Sequence, residues 1–422
     1  MKVAAALGGE IGYKCSTKRS AAMVGWVAWC CGVFATLPFP EAHAGQEDVL
    51  HFIVGHTIQN ESNLFRLSSS ADPTRFLGKP NRDDTINISM MGIRFEKPIG
   101  LQRFEFNLNL QAYRYDSFRF LNFDGRNHDM AWRWRLTPDL SGTVSTSRKQ
   151  ASANFADYRN FGARNVRTTE SDLMNGDWNP FGGWHIVAGL REDRQIQGQI
   201  FNEEPDYRYR SANAEIRYLF SSGSELAVAQ RSGQGDYLKR AVSMANLFDN
   251  HFDQDETEFR GSWKLTGKST LQGRIGSTIR THPHTPQRDF RRASGRLDWI
   301  WFPTGKLQLT VGGGRVVAPW QGPSESFSIK DGVSVNAVWR WAAKSSARLN
   351  AERSHLSLHG EGPAVAAVRR ADDITSLQAS LDWNPWQAVT LTASLRHDRR
   401  TSNIRGLDYN SITGTLGAQF VF

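Results

Sequence analysis

The 422 residues carry 51 lysines and arginines against 42 aspartates and glutamates, a formal net charge of +9. This charge is spread along the chain instead of being gathered into a nucleic-acid-binding module, which argues against a nucleic-acid partner. A mean hydropathy of −0.49 and the lack, after residue 44, of any run near the ~20 apolar residues of a spanning helix exclude a helical membrane protein. Both features are compatible with a membrane β-barrel, in which only alternate residues meet lipid and the average hydropathy is that of a soluble chain.

The chain begins with Lys14, Lys18 and Arg19 ahead of an apolar run from Ala21 to Leu37, followed by Ala42-His43-Ala44. This pattern predicts a secretory signal peptide over residues 1–44, cleaved after Ala44, and a mature domain over 45–422. All three cysteines (Cys15, Cys30 and Cys31) fall in the signal segment, so the mature chain needs no disulfide framework.

Leu50, Phe52, Val54 and Ile58 then alternate with other residues as a first strand does. Short turn sequences recur near Gly100, Asp139, Gly182, Gly223, Gly267, Thr304, Ser345 and Pro385, spaced 37 to 44 residues apart. Such a period marks a repeated supersecondary unit. Each unit holds two alternating segments of about ten to twelve residues, as expected of transmembrane strands. Phe104, Phe106, Leu108 and Leu110, for example, alternate with Glu105, Asn107 and Asn109. Met90-Met91 reverses the phase of its strand and predicts a β-bulge. The last segment, "SITGTLGAQFVF", alternates to Phe422 and predicts a closing strand whose terminal aromatic is read by barrel-insertion machinery.

Eight hairpins with a first and a last strand predict an all-β, antiparallel up-and-down barrel of about eighteen strands, sixteen being the alternative count. Its short turns face the periplasm and its long loops face outward. Eleven of the twelve tryptophans after residue 44 lie within seven residues of a short turn. An indole has an apolar ring and one N–H that wants water, so tryptophan collects at a membrane interface. Trp134, Trp184, Trp263, Trp301, Trp341, Trp383 and Trp386 are therefore expected in a periplasmic girdle, with outer-membrane lipid as their partner. A soluble β-propeller also has repeats near forty residues, but needs four short strands per repeat where this chain shows two long ones.

A barrel of eighteen strands is too wide to be filled by its own wall, so its polar face is the candidate functional surface. The alternation assigns Arg133, Arg135, Arg217, Arg260, Arg274, Arg296, Arg340, Arg348 and Arg396 to that face. With them go Glu105, Glu215, Glu258, Asp298, Glu352 and Asp382. Guanidinium forks suit carboxylate, sulfate and phosphate, which makes an acidic polymer a candidate cargo. The alternative is that these arginines pair with acids on adjacent strands and stiffen the wall.

No GxSxG, HExxH or phosphate-cradling loop is present, so neither an enzyme nor a cofactor is expected. His282 and His284, in "THPHTP", read as a solvated turn in preference to a metal site.

One stretch carries more specific text. Glu61, Asn63, Leu64, Phe65 and Arg66 in "ESNLFR" and Asp84, Thr85 and Ile86 in "DDTI" resemble the opening of the exosortase-associated, EpsL-like outer-membrane barrels encoded with exopolysaccharide loci. Ser62 stands where that family often has a second acid. The resemblance implies a place in polysaccharide biosynthesis and secretion, with exopolysaccharide and periplasmic export proteins as partners. The leading expectation is a porin-like exit channel for exopolysaccharide in the outer membrane. The alternatives are a scaffold for the export machinery, plugged by a loop such as 235–254, a general anion or nutrient porin, and a barrel that trims polymer or lipid.

Overall fold

The computed structural model describes residues 49–422 apart from 153–154, 158–160, 201–204, 323–324 and 362–367; the expected signal segment lies outside the described residues. The first strands are β1 (Leu50–Glu61), β2 (Asp84–Ile99), β3 (Gln102–Tyr115), β4 (Phe123–Thr137), β5 (Leu140–Ser152) and β6 (Val166–Phe181). They are followed by β7 (Trp184–Gln197), β8 (Tyr207–Leu219), β9 (Glu225–Tyr237), β10 (His251–Thr266), β11 (Ser269–Thr281) and β12 (Phe290–Thr304). The last are β13 (Leu307–Pro319), β14 (Phe327–Ala342), β15 (Ser345–His359), β16 (Ala371–Trp383), β17 (Val389–Ser402) and β18 (Tyr409–Val421). Every strand pairs antiparallel with the next, and β18 returns to β1 from Ile53↔Val421 to Glu61↔Thr413. The result is a closed barrel of eighteen strands. Phe422 adds two backbone hydrogen bonds to Phe52 at the closing seam.

The two rims differ as the turn sequences predict. One rim carries eight short connections, at 100–101, 138–139, 182–183, 220–224, 267–268, 305–306, 343–344 and 384–388. The other carries the long ones, including 62–83, 153–165 and 238–250. The two-residue turns at 100–101 and 182–183 use left-handed backbone, which Gly100 (φ 60) and Gly182 (φ 55) supply. A Cβ at Gly183 would stand 2.0 Å from the carbonyl oxygen of Leu219, so that turn is tight enough to need glycine for space as well.

Alternation sorts each strand into two faces. On β1, Phe52, Val54 and Ile58 are 44–51 % exposed while Ile53 and Glu61 are 3 % exposed. Neighbouring strands stay in phase: Leu381 stands beside Ala393, and Ala379 beside Leu395. The apolar face is the outer one, because the opposite face receives contacts from loops that cross the barrel, such as Asp157 on Arg400. Strands of 12 to 16 residues exceed the 9–11 that cross a bilayer at ~45°, so each projects past the lipid by a few residues.

The phase change at Met90-Met91 is not a bulge. Both β1–β2 and β2–β3 run without register shift. Met91 and Ile93 face lipid, whereas Ile86 and Ile88 turn their side chains inward against a buried cluster built by the loop after β1. The strand is apolar on its inner face there because that face is covered, while Asn87 and Ser89 make the outward face polar where the strand projects past the lipid.

A charge on the lipid face should cost far more than one on the inner face. Leu395→Arg is expected to lower the unfolding free energy by ~2–4 kcal/mol, and Ser394→Arg by less than half of that. Urea unfolding of both variants in lipid vesicles checks the contrast.

Candidate functional site

The period of two places Arg133, Arg135, Arg217, Arg260, Arg274, Arg296, Arg340, Arg348, Arg396, Glu105, Glu215, Glu258, Asp298, Glu352 and Asp382 on the inner face. Most of these charges meet a counter-charge. Arg133 reaches Glu105 at 2.9 Å, Arg260 reaches Glu258 at 3.0 Å, Arg296 reaches Asp298 at 2.6 Å, and Arg348 reaches Asp382 at 2.5 Å. Arg260 also bonds Glu215, Arg217 bonds Asp177, Arg274 lies 4.0 Å from Glu258, and Arg396 lies 2.8 Å from Asp398. Among the described residues only Arg135 and Arg340 of the nine arginines make no ion pair, and both stand near the short-turn rim. The wall is thus a mesh of paired charges within and between strands, strongly polar but close to neutral. Each exposed pair contributes well under ~1 kcal/mol, so the mesh keeps the wall wet more than it holds it together.

Two polar cavities lie along this wall. One of about 740 Å³ is lined by Arg103, Arg133, Arg217, Arg231, Arg260 and Glu215. The other, of about 530 Å³, lies on the β16–β18 side and is lined by Glu61, Arg66, Asp157, Glu352, Arg396 and Arg400.

The residues of the "ESNLFR" and "DDTI" stretches come together above the second cavity and fold the 62–83 loop inward. Glu61, 3 % exposed, accepts from Arg66 at 2.6 Å, from Thr413 at 2.7 Å and from Ser411. Asn63 closes a side-chain turn: its Oδ1 accepts the Leu67 N–H at 2.9 Å, and its Nδ2 donates to the carbonyls of Leu67 and Asn410 at 2.8 and 3.1 Å. Arg66 sits in left-handed backbone (φ 54), an unfavourable position for a side-chain-bearing residue. It is held there by bonds to Glu61, the Asn63 carbonyl and Ser411. Asp84 accepts the N–H groups of Ser117 and Phe118 at 2.8 and 3.0 Å, tying in the next outer loop. Thr85 accepts from Asn60 at 3.3 Å.

Phe65, fully buried, is the apolar centre of the arrangement. Its ring lies 4.7 Å from both Phe118 and Phe155, with Leu67, Ile86, Tyr115 and Leu121 completing the cluster and Leu64 packed on its edge. Residues 155–157 carry the structure across the barrel. Asp157 bonds Arg370 at 2.5 Å and Arg400 at 2.8 Å, and Arg370 also bonds the fully buried Asp372. Burial pushes the Asp157 carboxyl up, but the Arg370 and Arg400 guanidinium groups outweigh it and hold it below the usual carboxylate range. The sequence reading missed Asp157, Arg370, Asp372 and Arg400. Arg400 continues the inner-face series of Arg396 and Asp398 and was open to alternation; its partner Asp157, 243 residues away, was not.

The outer loops over β9–β14 form a separate buried group. Asp249, fully buried, accepts the N–H groups of His284 and Thr285 at 2.6 and 3.2 Å, and Arg288, also fully buried, donates to the carbonyls of Leu247, Gly322 and Glu325. The 238–250 loop, expected within the 235–254 plug, has its described bonds with neighbouring outer segments, through Lys239 to Asp206 and Arg240 to Gln321. The inward-folded loop is instead 62–83. His282 is not a solvated turn residue either. Its side chain is wholly shielded beside Asp289 and stacked near Tyr237, because Asp249 and Asp289 draw the loop back over the strand ends. Burial, reinforced by the Arg280 charge, pushes its pKa down to about 3. His284 is about half exposed.

The predicted tryptophans stand where the short turns are. Trp134, Trp184, Trp263, Trp301, Trp341 and Trp383 occupy strand ends at that rim, and Trp386 is in the 384–388 turn, 69 % exposed. Trp301 stacks on Trp299 at 5.4 Å.

No family model matches the chain, and no curated protein matches it. Among solved structures it is similar to OpdK of Pseudomonas aeruginosa with vanillate, at 9% identity, covering 88% of this chain and 99% of that one with a TM-score of 0.50. A mutant of the ferric enterobactin receptor PfeA from the same organism is similar over 88% of this chain and 80% of its own, at 9% identity and a TM-score of 0.48. At such identity the likeness bears on fold alone. The fold is a closed β-barrel of the bacterial outer-membrane type. The barrel's lipid-facing apolar band, its closed sheet and its unequal rims agree with an outer-membrane location.

Removing the Phe65 ring should release the inward loop. Phe65→Ala is expected to cost ~3–5 kcal/mol locally, seen as faster hydrogen exchange at the Leu67 and Phe118 amides with the strands still protected. A pH dependence follows from His282. Its folded pKa of about 3 lies below the ordinary value of 6.5, so only the unfolded chain takes up the proton between these limits. Its contribution is complete above pH 6.5 and is lost as pH falls toward 3. His282→Gln should therefore show a smaller loss of stability between pH 7 and pH 4 than the parent, measured by denaturant unfolding at each pH.

Proposed function

We propose that the barrel is a porin-like exit for an acidic exopolysaccharide, in the manner of the EpsL-like family that its Glu61–Arg66 and Asp84–Ile86 stretches resemble. The observation that carries this reading is the inner wall. It is polar along the barrel, lined with guanidinium groups whose forks suit carboxylate or phosphate, and bears charges paired closely enough that no single site would trap a passing polymer. Conduction needs that balance between entry and release. Movement through such a wall would be passive, driven by synthesis and export steps on the periplasmic side, so export proteins there are the partners this reading requires.

A second reading has its own observation. The 62–83 loop is bonded inward by Glu61, Asn63 and Arg66, and Asp157 is clamped by Arg370 and Arg400. A mouth closed in this way would suit a scaffold for the export machinery, which needs a barrel but no flow.

Single-channel recording of residues 45–422 in planar bilayers separates the two. The exit reading predicts discrete steps at neutral pH that an added acidic polysaccharide blocks and a neutral dextran of equal size does not. A folded, inserted barrel without steps, together with loss of surface polysaccharide in a strain lacking the gene, would leave the scaffold reading in its place.

A further inference from the structure

The outward face of β3 to β8 combines two features that the lumen does not explain. The first is an apolar groove of about 840 Å³ on the lipid side, lined by Phe106, Met130, Val144, Met174 and Leu190. The second is the group of charges at its end nearer the long-loop rim. Met174 stands beside Leu190, and two residues toward that rim Asp172 stands beside Glu192 and Glu192 beside Arg210. Two residues further come Arg148, Glu170, Arg194 and Arg208, side by side on four consecutive strands. An apolar trough that ends in four guanidinium groups has the layout of a lipid site: acyl chains below, an anionic headgroup above.

The hydrogen-bonding state of these arginines says what the headgroup must supply. The Nε atoms of Arg148, Arg194 and Arg208 are shielded yet meet no hydrogen-bond acceptor among the described residues. Their nearest carboxylate contacts are long, 3.3 Å to Glu170 for Arg148, 3.6 Å to Glu170 for Arg194 and 3.3 Å to Glu192 for Arg208. Arg210 bonds Glu192 at 2.6 Å and keeps its side chain 64% exposed. The Arg148, Arg194 and Arg208 side chains are about a third exposed and meet the acids only by these long contacts, so their forks keep donors free for a phosphate, which accepts bidentately. The three interleaved carboxylates, Glu170, Asp172 and Glu192, would repel a bare phosphate but accept from hydroxyl groups. Arginine and carboxylate in alternation therefore match a headgroup that is both phosphorylated and rich in hydroxyls. Arg315, another outward arginine near the same rim, provides the contrast: Asp331 meets it with two bonds of 2.7 and 2.8 Å and leaves its fork satisfied.

We propose that this face seats one phosphorylated glycolipid of the outer leaflet, its acyl chains in the groove and its phosphate across Arg194, Arg208 and Arg210. The site is independent of what passes through the lumen.

The test uses the intact barrel in a neutral detergent, with retained lipid counted by native mass spectrometry. Bisphosphorylated lipid A should bind one to one, and about tenfold or more tighter than dephosphorylated lipid A or phosphatidylglycerol. The combined Arg194→Gln, Arg208→Gln and Arg210→Gln variant should lose that preference, and Arg315→Gln should keep it. Equal retention of the dephosphorylated lipid would overturn the proposal, and equal retention of phosphatidylglycerol would overturn its assignment to a glycolipid. Both comparisons are made on the parent protein, so they stand even if the combined variant does not fold.

Discussion

A peptide N–H or C=O left unpaired in hydrocarbon costs several kcal/mol, and this one constraint shapes the rest of the molecule. It forces the eighteen strands to close on themselves, with β18 returned to β1 and the backbone of Phe422 bonded to Phe52. Closure gives every strand a wet face and a dry face, and because strand side chains alternate, each second residue is committed to lipid. Val333 and Val335 serve the lipid, while Ser334 and Asn336 between them serve the interior. The sequence can therefore be built on a period of two, and a mean hydropathy of −0.49 is no obstacle to membrane insertion.

The interior shows the other side of that commitment. A lumen lined only by arginine would repel itself, and the chain avoids this by setting acids two residues away on the same strand, as in Arg296 with Asp298 and Arg396 with Asp398, or on the neighbouring strand, as in Arg133 with Glu105. The mesh keeps the wall polar without creating a deep trap for one charge. At the outer end the inner wall acquires a different role. Glu61, Asn63, Phe65, Arg66 and Asp84 all turn inward or stack on one another, and what looked like a recognition text is the set of bonds that seats a loop. The left-handed backbone at Arg66 is tolerated because three acceptors hold its side chain.

The barrel was readable in the sequence because alternation and turn composition are local. The turn near Gly182, the strand through Phe104 to Leu110 and the tryptophans beside six of the eight short turns all lie where their own neighbours place them. Alternation also supplies the face of each wall residue, so Arg340 and Asp382 needed no tertiary information. It does not say which acid an arginine meets. Nor does it foresee an inner face that turns apolar, which is why Ile86 and Ile88 beside Met90-Met91 read as an irregular strand and prove to be the floor of a buried cluster. His282 is shielded by Asp289 and by the Tyr237 ring on another strand, contacts that no local pattern announces. The Asp157 clamp is the extreme case, joining a loop after β5 to Arg400 on β17.

The claim on which the account rests is that one face of every strand lines an aqueous interior. The sequence from residue 45 onward contains no cysteine, so single cysteines introduced along β17 at positions 392 to 398 report on it directly. A water-soluble maleimide should label cysteines at Thr392, Ser394 and Arg396 and spare those at Ala393, Leu395 and His397, while a lipid-soluble reagent should give the opposite pattern. Uniform labelling, or an inner series inaccessible to water even when the 62–83 loop is released, would contradict it.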